Sequence, residues 1–478
     1  MVSEHASPLA VLGGVDAGGQ NMAVASLARA LVARGHDVEV FTRRDDPGPA
    51  ETVTVQARLR VTHVPAGPAR VIGKDDMAPF MPAFGAWLRQ RWSRGPRPDV
   101  VHAHFWMSGL AALVAARPLG LPVVQTFHAL GSVKARHQGA ADTSPPERVA
   151  AERQLARSVD LVLATCTDEV TELRALGTPS GRIRIVPCGV DTEMFRASGP
   201  LAARGERFRL VDVGRLVERK GVDTVLRALA AIVRSDGAVP FDAELIVVGG
   251  PVAEGLAADP EVRRLRALAA DLGIADRVVF TGRLPAPEVA AHYRAADVVV
   301  ATPWYEPFGL VPLEAMACGA AFVGSAVGGL LDTVRDGECG LLVPPRDPVA
   351  LAGALRQLAG DQELRHRLGA AARRRALRFE TARVAGDTEA AYETLVDVPL
   401  DVPLDVTLDV PAPGPRAGRL GVARGMGVAG GMGIAGGMAL GGDRAAVDRV
   451  STDLASGEGR GGAVALPTSG RRRRTGST

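Results

Sequence analysis

The sequence is short of cysteine and close to neutral in charge, and each shortage closes off a class of function. Four cysteines, Cys166, Cys188, Cys318 and Cys339, are scattered through 478 residues. They show neither CxxC spacing nor an adjacent histidine, which argues against structural zinc and against a disulfide framework, and suits a reducing cytoplasm. Lys and Arg number 56 against 53 Asp and Glu, leaving +3, so there is no global electrostatic case for nucleic acid as a partner. Met1-Val2-Ser3-Glu4-His5 lacks the cationic start of a secretory signal, and the run from Leu9 to Val15 is too short to cross a bilayer. The expectation is a soluble cytoplasmic protein without a transmembrane segment.

What is present is alternation. At about 150 residues per domain the length suits two or three domains. Ala10-Val11-Leu12, Asp37 to Phe41, Asp99 to Ala103, Pro122 to Thr126 and Leu161 to Thr165 read as short buried strands between segments of helical spacing. A second series begins at Phe208 to Val213 and continues through Ala243 to Val248, Val278 to Phe280, Val298 to Ala301, Ala321 to Val323 and Gly340 to Val343. The fold class is α/β, with two Rossmann-like doubly wound domains facing a central cleft. The expected divisions are residues 1–196, a linker at 197–207, a second domain at 208–378, and a helix at 379–396 packing back toward the first domain. Beyond Val396 the composition breaks into a disordered low-complexity tail, 397–478. There Asp397-Val398-Pro399-Leu400 recurs as Asp401-Val402-Pro403-Leu404, and the repeated proline blocks helix and central strand alike. Gly425 to Gly430 and Gly431 to Gly436 each match G-x-G-x-x-G, but no strand precedes them, so neither is read as a nucleotide site. The stretch Gly425 to Gly442 is uncharged over 18 residues, half of them glycine, too rich in glycine for a membrane span. Arg471 to Arg474 is read as a solvated charge run.

Chemistry concentrates at the carboxyl ends of the strands, where ligands of open parallel sheets bind. Glu306-Pro307-Phe308-Gly309-Leu310-Val311-Pro312-Leu313-Glu314 places two carboxylates with seven residues between them on a loop and the first turn of a helix. A carboxylate accepts paired hydrogen bonds from vicinal hydroxyls, and amides at a helix start suit a diphosphate. Arg215 and Lys220, in Gly214 to Gly221 after the first strand of the second series, would neutralise that diphosphate. Gly13 to Asn21 links the first strand to its helix as an anion-binding loop. His128 follows the strand ending near Thr126, where it could bond a sugar hydroxyl or relay a proton. His102 and His104, one residue apart, have no third ligand at zinc spacing.

Asp16 to Asn21, Thr126-Phe127-His128, Val186 to Asp191, Gly214 to Gly221 and Glu306 to Glu314, in that order and spacing, resemble the family-4 retaining glycosyltransferases of GT-B fold. The resemblance runs from about Val11 to Val396 and is nearest to the sucrose-phosphate synthase-like and inositol-3-phosphate glycosyltransferase branches. It implies a nucleoside diphosphate sugar, most simply a UDP-sugar, held mainly by the second domain, and a small-molecule acceptor held mainly by the first. Arg215 and Lys220 would bind the donor diphosphate and Glu314 the ribose. Glu306 would bind the sugar hydroxyls, and Phe308, Gly309 and Leu310 would add amides. Gly19 and Gln20 would meet the phosphates from the other lobe, and His128 would touch the transferred sugar. His128, Glu306, Arg215 and Lys220 form the catalytic set; Asp16, Asn21, Lys74 and Arg148 face the acceptor. The resemblance also implies retention by front-face attack, without a protein nucleophile. No cofactor and no metal are expected, since the chain contains no Asp-x-Asp; a homodimer is compatible with this reading.

The resemblance departs at the acceptor. The inositol-phosphate enzymes hold their acceptor phosphate with Lys, Tyr, Thr and Arg, and the matching positions here are Lys74, Phe105, Ala129 and Arg148. Both hydroxyl donors are gone, a loss of about 1.5 to 3 kcal/mol for each charged hydrogen bond. The acceptor is therefore expected to differ from inositol phosphate, although the two cations leave an anionic group open. Two alternatives stand beside transfer: a sugar-nucleotide epimerase of the same architecture, and a non-catalytic nucleotide-sugar or polyanion binding protein.

Overall fold

The computed structural model describes residues 1–9, 18–234 and 241–396. Asp16, the strand expected at Ala10 to Leu12 and the tail from 397 onward lie outside these residues.

The first lobe contains β1 (Val38–Arg43), β2 (Thr52–Gln56), β3 (Leu59–Val64), β4 (Val101–His104), β5 (Val123–Thr126), β6 (Leu161–Ala164) and β7 (Ile183–Ile185). They run in the orders β1-β3-β2 and β4-β5-β6-β7. The amino-terminal segment joins the two groups: Val2 pairs in parallel with both Phe41 and Ala103. Its ladder includes Val2 N to His102 O at 2.8 Å and Phe41 N to Met1 O at 2.9 Å. All pairings are parallel except β2 with β3. That hairpin was not expected, although Thr52-Val53-Thr54-Val55 and Leu59-Arg60-Val61-Thr62 alternate with the period of a half-buried strand.

The second lobe is built on β8 (Phe208–Val213), β9 (Ala243–Val248), β10 (Val278–Gly282), β11 (Val298–Ala301), β12 (Phe322–Ser325) and β13 (Leu341–Val343). Every pairing is parallel, in the order β10-β9-β8-β11-β12-β13. This is the doubly wound order, which reverses between β8 and β11 and opens a crevice there. The apolar face of helix Val222–Arg234, with Val222, Val225, Leu226, Leu229 and Ile232, repeats at helical spacing and is buried against this sheet.

The last described helix, Thr381–Val396, leaves the second lobe and lies on the first. Val190 pairs with Glu380, and Val190 N bonds Phe379 O at 2.8 Å. Ala385 then packs with Val24, Ala28 and Leu31 of helix Gly19–Ala33. Glu389 pairs with Arg34 and, at 2.8 Å, with His36. Tyr392 is inserted to within 2.7 Å of His102 Nδ1. Among the described residues no helix is long and apolar enough to cross a membrane.

Candidate active site

The crevice at the β8/β11 reversal is made by the loops after β8, β11 and β12, which fit together only because two glycines let them. Gly221, at φ +75°, sits so close to the loop after β11 that a Cβ would meet Thr302 O at 2.0 Å. Thr302 Oγ1 returns a bond to Gly221 O at 2.8 Å, and Trp304 N bonds Arg219 O at 2.8 Å. Gly328, at φ +45°, leaves only 2.3 Å between its would-be Cβ and Glu306 O, and Gly329 N donates to that same carbonyl at 3.0 Å. Both positions are in the region that a side chain rarely tolerates.

The result is an ion pair between Lys220 Nζ and Glu306, joining residues 86 apart in sequence. Burial pushes the Glu306 carboxyl up, but Lys220, Arg219 and Arg215 together outweigh it and hold it below its ordinary value. Arg219 lies 5.1 Å from the Tyr305 ring, and its Nη1 is buried with no hydrogen-bond partner among the described residues. Arg219 and Tyr305 were missed in the sequence, although each is a direct chain neighbour of a residue that was singled out.

Glu314 lies in helix Leu310–Ala317, whose start follows Gly309 at φ +91°. Its carboxyl accepts from Tyr293 Oη at 3.0 Å. Burial raises it to about 7, with the tyrosine bond opposing the rise. Asp212, at the end of β8, is also raised by burial to about 7, with Lys220 opposing. The two glutamates of one motif thus occupy opposite electrostatic states: Glu306 among cations, Glu314 among neutral groups.

Across the crevice, Gly19 opens its helix facing the second lobe, with Leu310 Cδ1 3.4 Å from where a Cβ would stand. Gln20 and Asn21 turn inward instead. Gln20 Nε2 reaches His104 O at 3.3 Å and Ser3 Oγ at 3.4 Å. Asn21 is buried, accepting from Gly18 N and donating to Ser7 O, both at 3.1 Å. His128 stands in the left-handed region at φ 59°, and burial lowers its imidazole to about 3, so the ring is neutral.

Lys74 and Arg148 gather elsewhere, around Phe105. The Arg148 guanidinium lies 4.9 Å from the Phe105 ring centroid and Lys74 Nζ lies 5.7 Å from it. Arg148 is 2 % exposed. It donates to Glu152 at 2.8 Å, to Ala129 O at 2.6 Å and to Ser144 Oγ at 3.2 Å. Much of its capacity is thereby spent inside the lobe, on a Glu152 that went unnoticed in the sequence although it stands at the i,i+4 spacing of a helical ion pair. Ala129 also lines a cavity of about 250 Å³ between the lobes, with His137, Tyr305 and Glu306. Gln138 Nε2 donates to Tyr305 Oη at 2.8 Å and Cys166 Sγ lies 3.1 Å from Pro307 O, so the first lobe grips the Glu306 loop of the second. The four cysteines are free thiols. Among the described residues no three His, Cys, Asp or Glu side chains converge as a metal-holding group.

Residues 18–189 match the glycosyl transferase 4-like domain and residues 195–375 match the glycosyl transferases group 1. The D-inositol 3-phosphate glycosyltransferase of Acidothermus cellulolyticus is 40% identical over 391 residues, covering 79% of this chain and 86% of that protein. Its counterpart in Geodermatophilus obscurus is 38% identical over 401 residues, covering 82% and 88%. Among solved structures, sucrose-phosphate synthase from Thermosynechococcus elongatus superposes with a TM-score of 0.74 at 31% identity, covering 82% of this chain and 98% of that one. HepE from Anabaena, in complex with UDP and glucose, reaches 0.62 at 20% identity, covering 83% and 98%, a likeness of fold alone. These relatives support glycosyl transfer and lend nothing to the epimerase or the non-catalytic alternative. With its paired parallel-sheet lobes and its Lys220–Glu306 loops, the chain belongs to the family-4 glycosyltransferases of GT-B fold.

Proposed function

We propose that the protein transfers a sugar from a nucleoside diphosphate sugar, a UDP-sugar first among them, to a hydroxyl of a small acceptor, with retention of configuration and without a metal ion. The observation that carries this reading is the convergence of Lys220, Arg215 and Arg219 on Glu306 at the mouth of the β8/β11 crevice. A departing nucleoside diphosphate gains negative charge as the glycosidic bond breaks, and cations arranged beforehand lower that barrier without reorganising. Lys220 and Arg215 are assigned to the diphosphate, Glu306 to the sugar hydroxyls, Glu314 to the ribose and His128 to the sugar. Phe308, Gly309 and Leu310 contribute amides at the helix start.

In the proposed step the acceptor oxygen attacks the anomeric carbon from the face that the diphosphate is leaving. The carbon–oxygen bond to the diphosphate breaks, a new one forms on the same face, and the acceptor proton passes to the leaving phosphate oxygen. A covalent route would need a second carboxylate beside the reacting carbon. Glu314 does not suit that part, being bonded to Tyr293 and held near neutrality. With Lys220 and Arg215 assigned to the diphosphate and Arg219 close by, a divalent ion is not needed for charge.

The acceptor is assigned to the first lobe near Lys74, Phe105 and Arg148. Phe105 and Ala129 offer no side-chain hydrogen bond to a phosphate, so inositol phosphate is not the acceptor we favour. The reading includes a cytoplasmic location and is compatible with a homodimer. It is tested by nucleoside diphosphate release from UDP, GDP and ADP sugars, with polyols, sugar phosphates and inositol phosphates as acceptors. Release that depends on both an acceptor and Glu306 supports it; donor binding without release under any pairing overturns the proposed transfer to such acceptors.

A further inference from the structure

The imidazole assigned to the sugar is held from behind by a second imidazole. His104 Nδ1 lies 3.0 Å from His128 Nε2, with the rings stacked at 5.2 Å between centroids and 29° between planes. His104 is 2 % exposed and is fixed on its other side by the His102 ring, 4.0 Å away. His102 is itself pinned at both nitrogens, by Tyr392 Oη at 2.7 Å and Thr126 Oγ1 at 2.9 Å. The His102 end of this stack is thereby kept from rotating freely.

One proton lies between His104 Nδ1 and His128 Nε2, and the rest of His104 decides which nitrogen owns it. His104 Nε2 is buried and has no hydrogen-bond partner among the described residues. Burial lowers both imidazoles, so each carries a single N–H. If His128 Nε2 kept the proton, His104 would have to carry its own on Nε2, where no acceptor among the described residues reaches it. A buried N–H left unpaired is rarer and more costly than a bare acceptor nitrogen. The proton therefore belongs on His104 Nδ1, which donates to a bare His128 Nε2. His128 must then carry its hydrogen on Nδ1, its other ring nitrogen.

We propose that His104 is a positioning residue that locks His128 in the Nδ1–H tautomer, so that the cleft meets a hydrogen-bond donor. This is a specific choice, because a neutral imidazole can present either a donor or an acceptor and the other ring nitrogen's bond sets which. A donor suits an oxygen of the sugar or of the departing group, whereas an acceptor would compete with Glu306 for sugar hydroxyl protons. The left-handed backbone of His128, at φ 59°, is paired with this ring bond, as expected where the surroundings over-determine a sparsely populated conformation. The consequence for catalysis rests on the transfer reading above; the tautomer does not.

The test begins on the whole, unmodified protein. Long-range nitrogen-15 spectra of its histidine rings should show His128 protonated at Nδ1 and bare at Nε2; protonation at Nε2 would overturn the proposal. Two variants extend it. In His104→Asn the amide nitrogen stands near the place of Nδ1 and still donates, so His128 should keep its tautomer and kcat with UDP-glucose should stay within about threefold. In His104→Asp only an acceptor remains, so the His128 proton should move to Nε2 and kcat should fall at least about tenfold, with UDP affinity unchanged because the ring is assigned to the sugar and not to the nucleotide. Equal kcat in the two variants would refute the positioning role. If the tautomer is as stated but no donor sugar turns over, the transfer reading fails and the His104 assignment stands.

Discussion

Replacing Lys220 by Met tests the electrostatic core of the site, because it leaves Glu306 in place and removes its partner. The two side chains are 20% and 17% exposed, so the pair is mostly out of water. Removing one member of a buried pair costs about 3–5 kcal/mol, chiefly the penalty of the stranded charge. Arg219 and Arg215 also act on Glu306 and soften that penalty, so we expect a loss of about 2 kcal/mol at neutral pH. The pH dependence is the sharper signature. In the native protein Glu306 is held below its ordinary value of 4.5. Its contribution is therefore present above the unfolded value and lost as pH falls through the lower folded value. Without Lys220, burial loses its main counterweight and the carboxyl moves above 4.5. A raised carboxyl favours folding below the unfolded value, and that preference is lost as pH rises through the folded one. The stability gap between native and variant protein should thus be widest near pH 8 and narrow toward pH 4. Urea unfolding midpoints across that range measure it. A gap that does not change with pH, or one below about 0.5 kcal/mol at pH 7, would refute the reasoning.

Glu314 must be ionised to accept ribose hydroxyls, so UDP affinity should weaken as pH falls through about 7. Tyr293→Phe, which removes the opposing hydrogen bond, should move that transition upward in calorimetric titrations. Asp212 titrates in the same range, and persistence of the transition in Asp212→Asn assigns it to Glu314; its disappearance would assign it to Asp212. Arg148→Met should cost about 3 kcal/mol of stability by stranding the buried Glu152, with UDP affinity unchanged; an unaltered urea midpoint would show the pair to be expendable. Exhaustive chelation should leave turnover intact, and activity restored only by a divalent cation would sink the metal-independent reading. Glu306→Ala should lower kcat at least about 100-fold yet bind UDP no more weakly than the native protein, because three cations lose an internal competitor; markedly weaker UDP binding would show that Glu306 supports the nucleotide rather than the sugar.

The strands read with the right bounds were mostly buried ones. Phe208 to Val213, Ala243 to Val248 and Val298 to Ala301 are near-continuous apolar runs, and their observed bounds coincide with the expected ones. The β2/β3 hairpin escaped because its signal is alternation, which is weaker than a run when Thr and Arg occupy the polar phase. The amino terminus shows a different limit. Nothing in Met1 to His5 alone marks it as a strand, since five residues are too few to show a period. The segment pairs with β1 and β4 because each offers it a free ladder edge, and such a contact is visible only in three dimensions.

The site divided along the same line. Lys220 and Glu306, charged residues at the ends of strands, could be expected at one crevice because sheet topology fixes where those ends point. Their modulators could not, because modulation depends on what a side chain loses on burial. Glu314 and Glu306 are the same residue type in one motif, and what separates their proton affinities is that both are buried but only Glu306 has Lys220, Arg219 and Arg215 beside it. His102 and His104 looked like a failed metal site, for want of a third ligand. In the fold, Tyr392 arrives from 290 residues away to anchor the first ring, and His128 meets the second. A histidine pair without a metal is not thereby idle: His104 sets the tautomer of His128 through their shared hydrogen bond, while His102, anchored by the Tyr392 hydroxyl of the returning helix Thr381–Val396, holds the His104 ring from its other face.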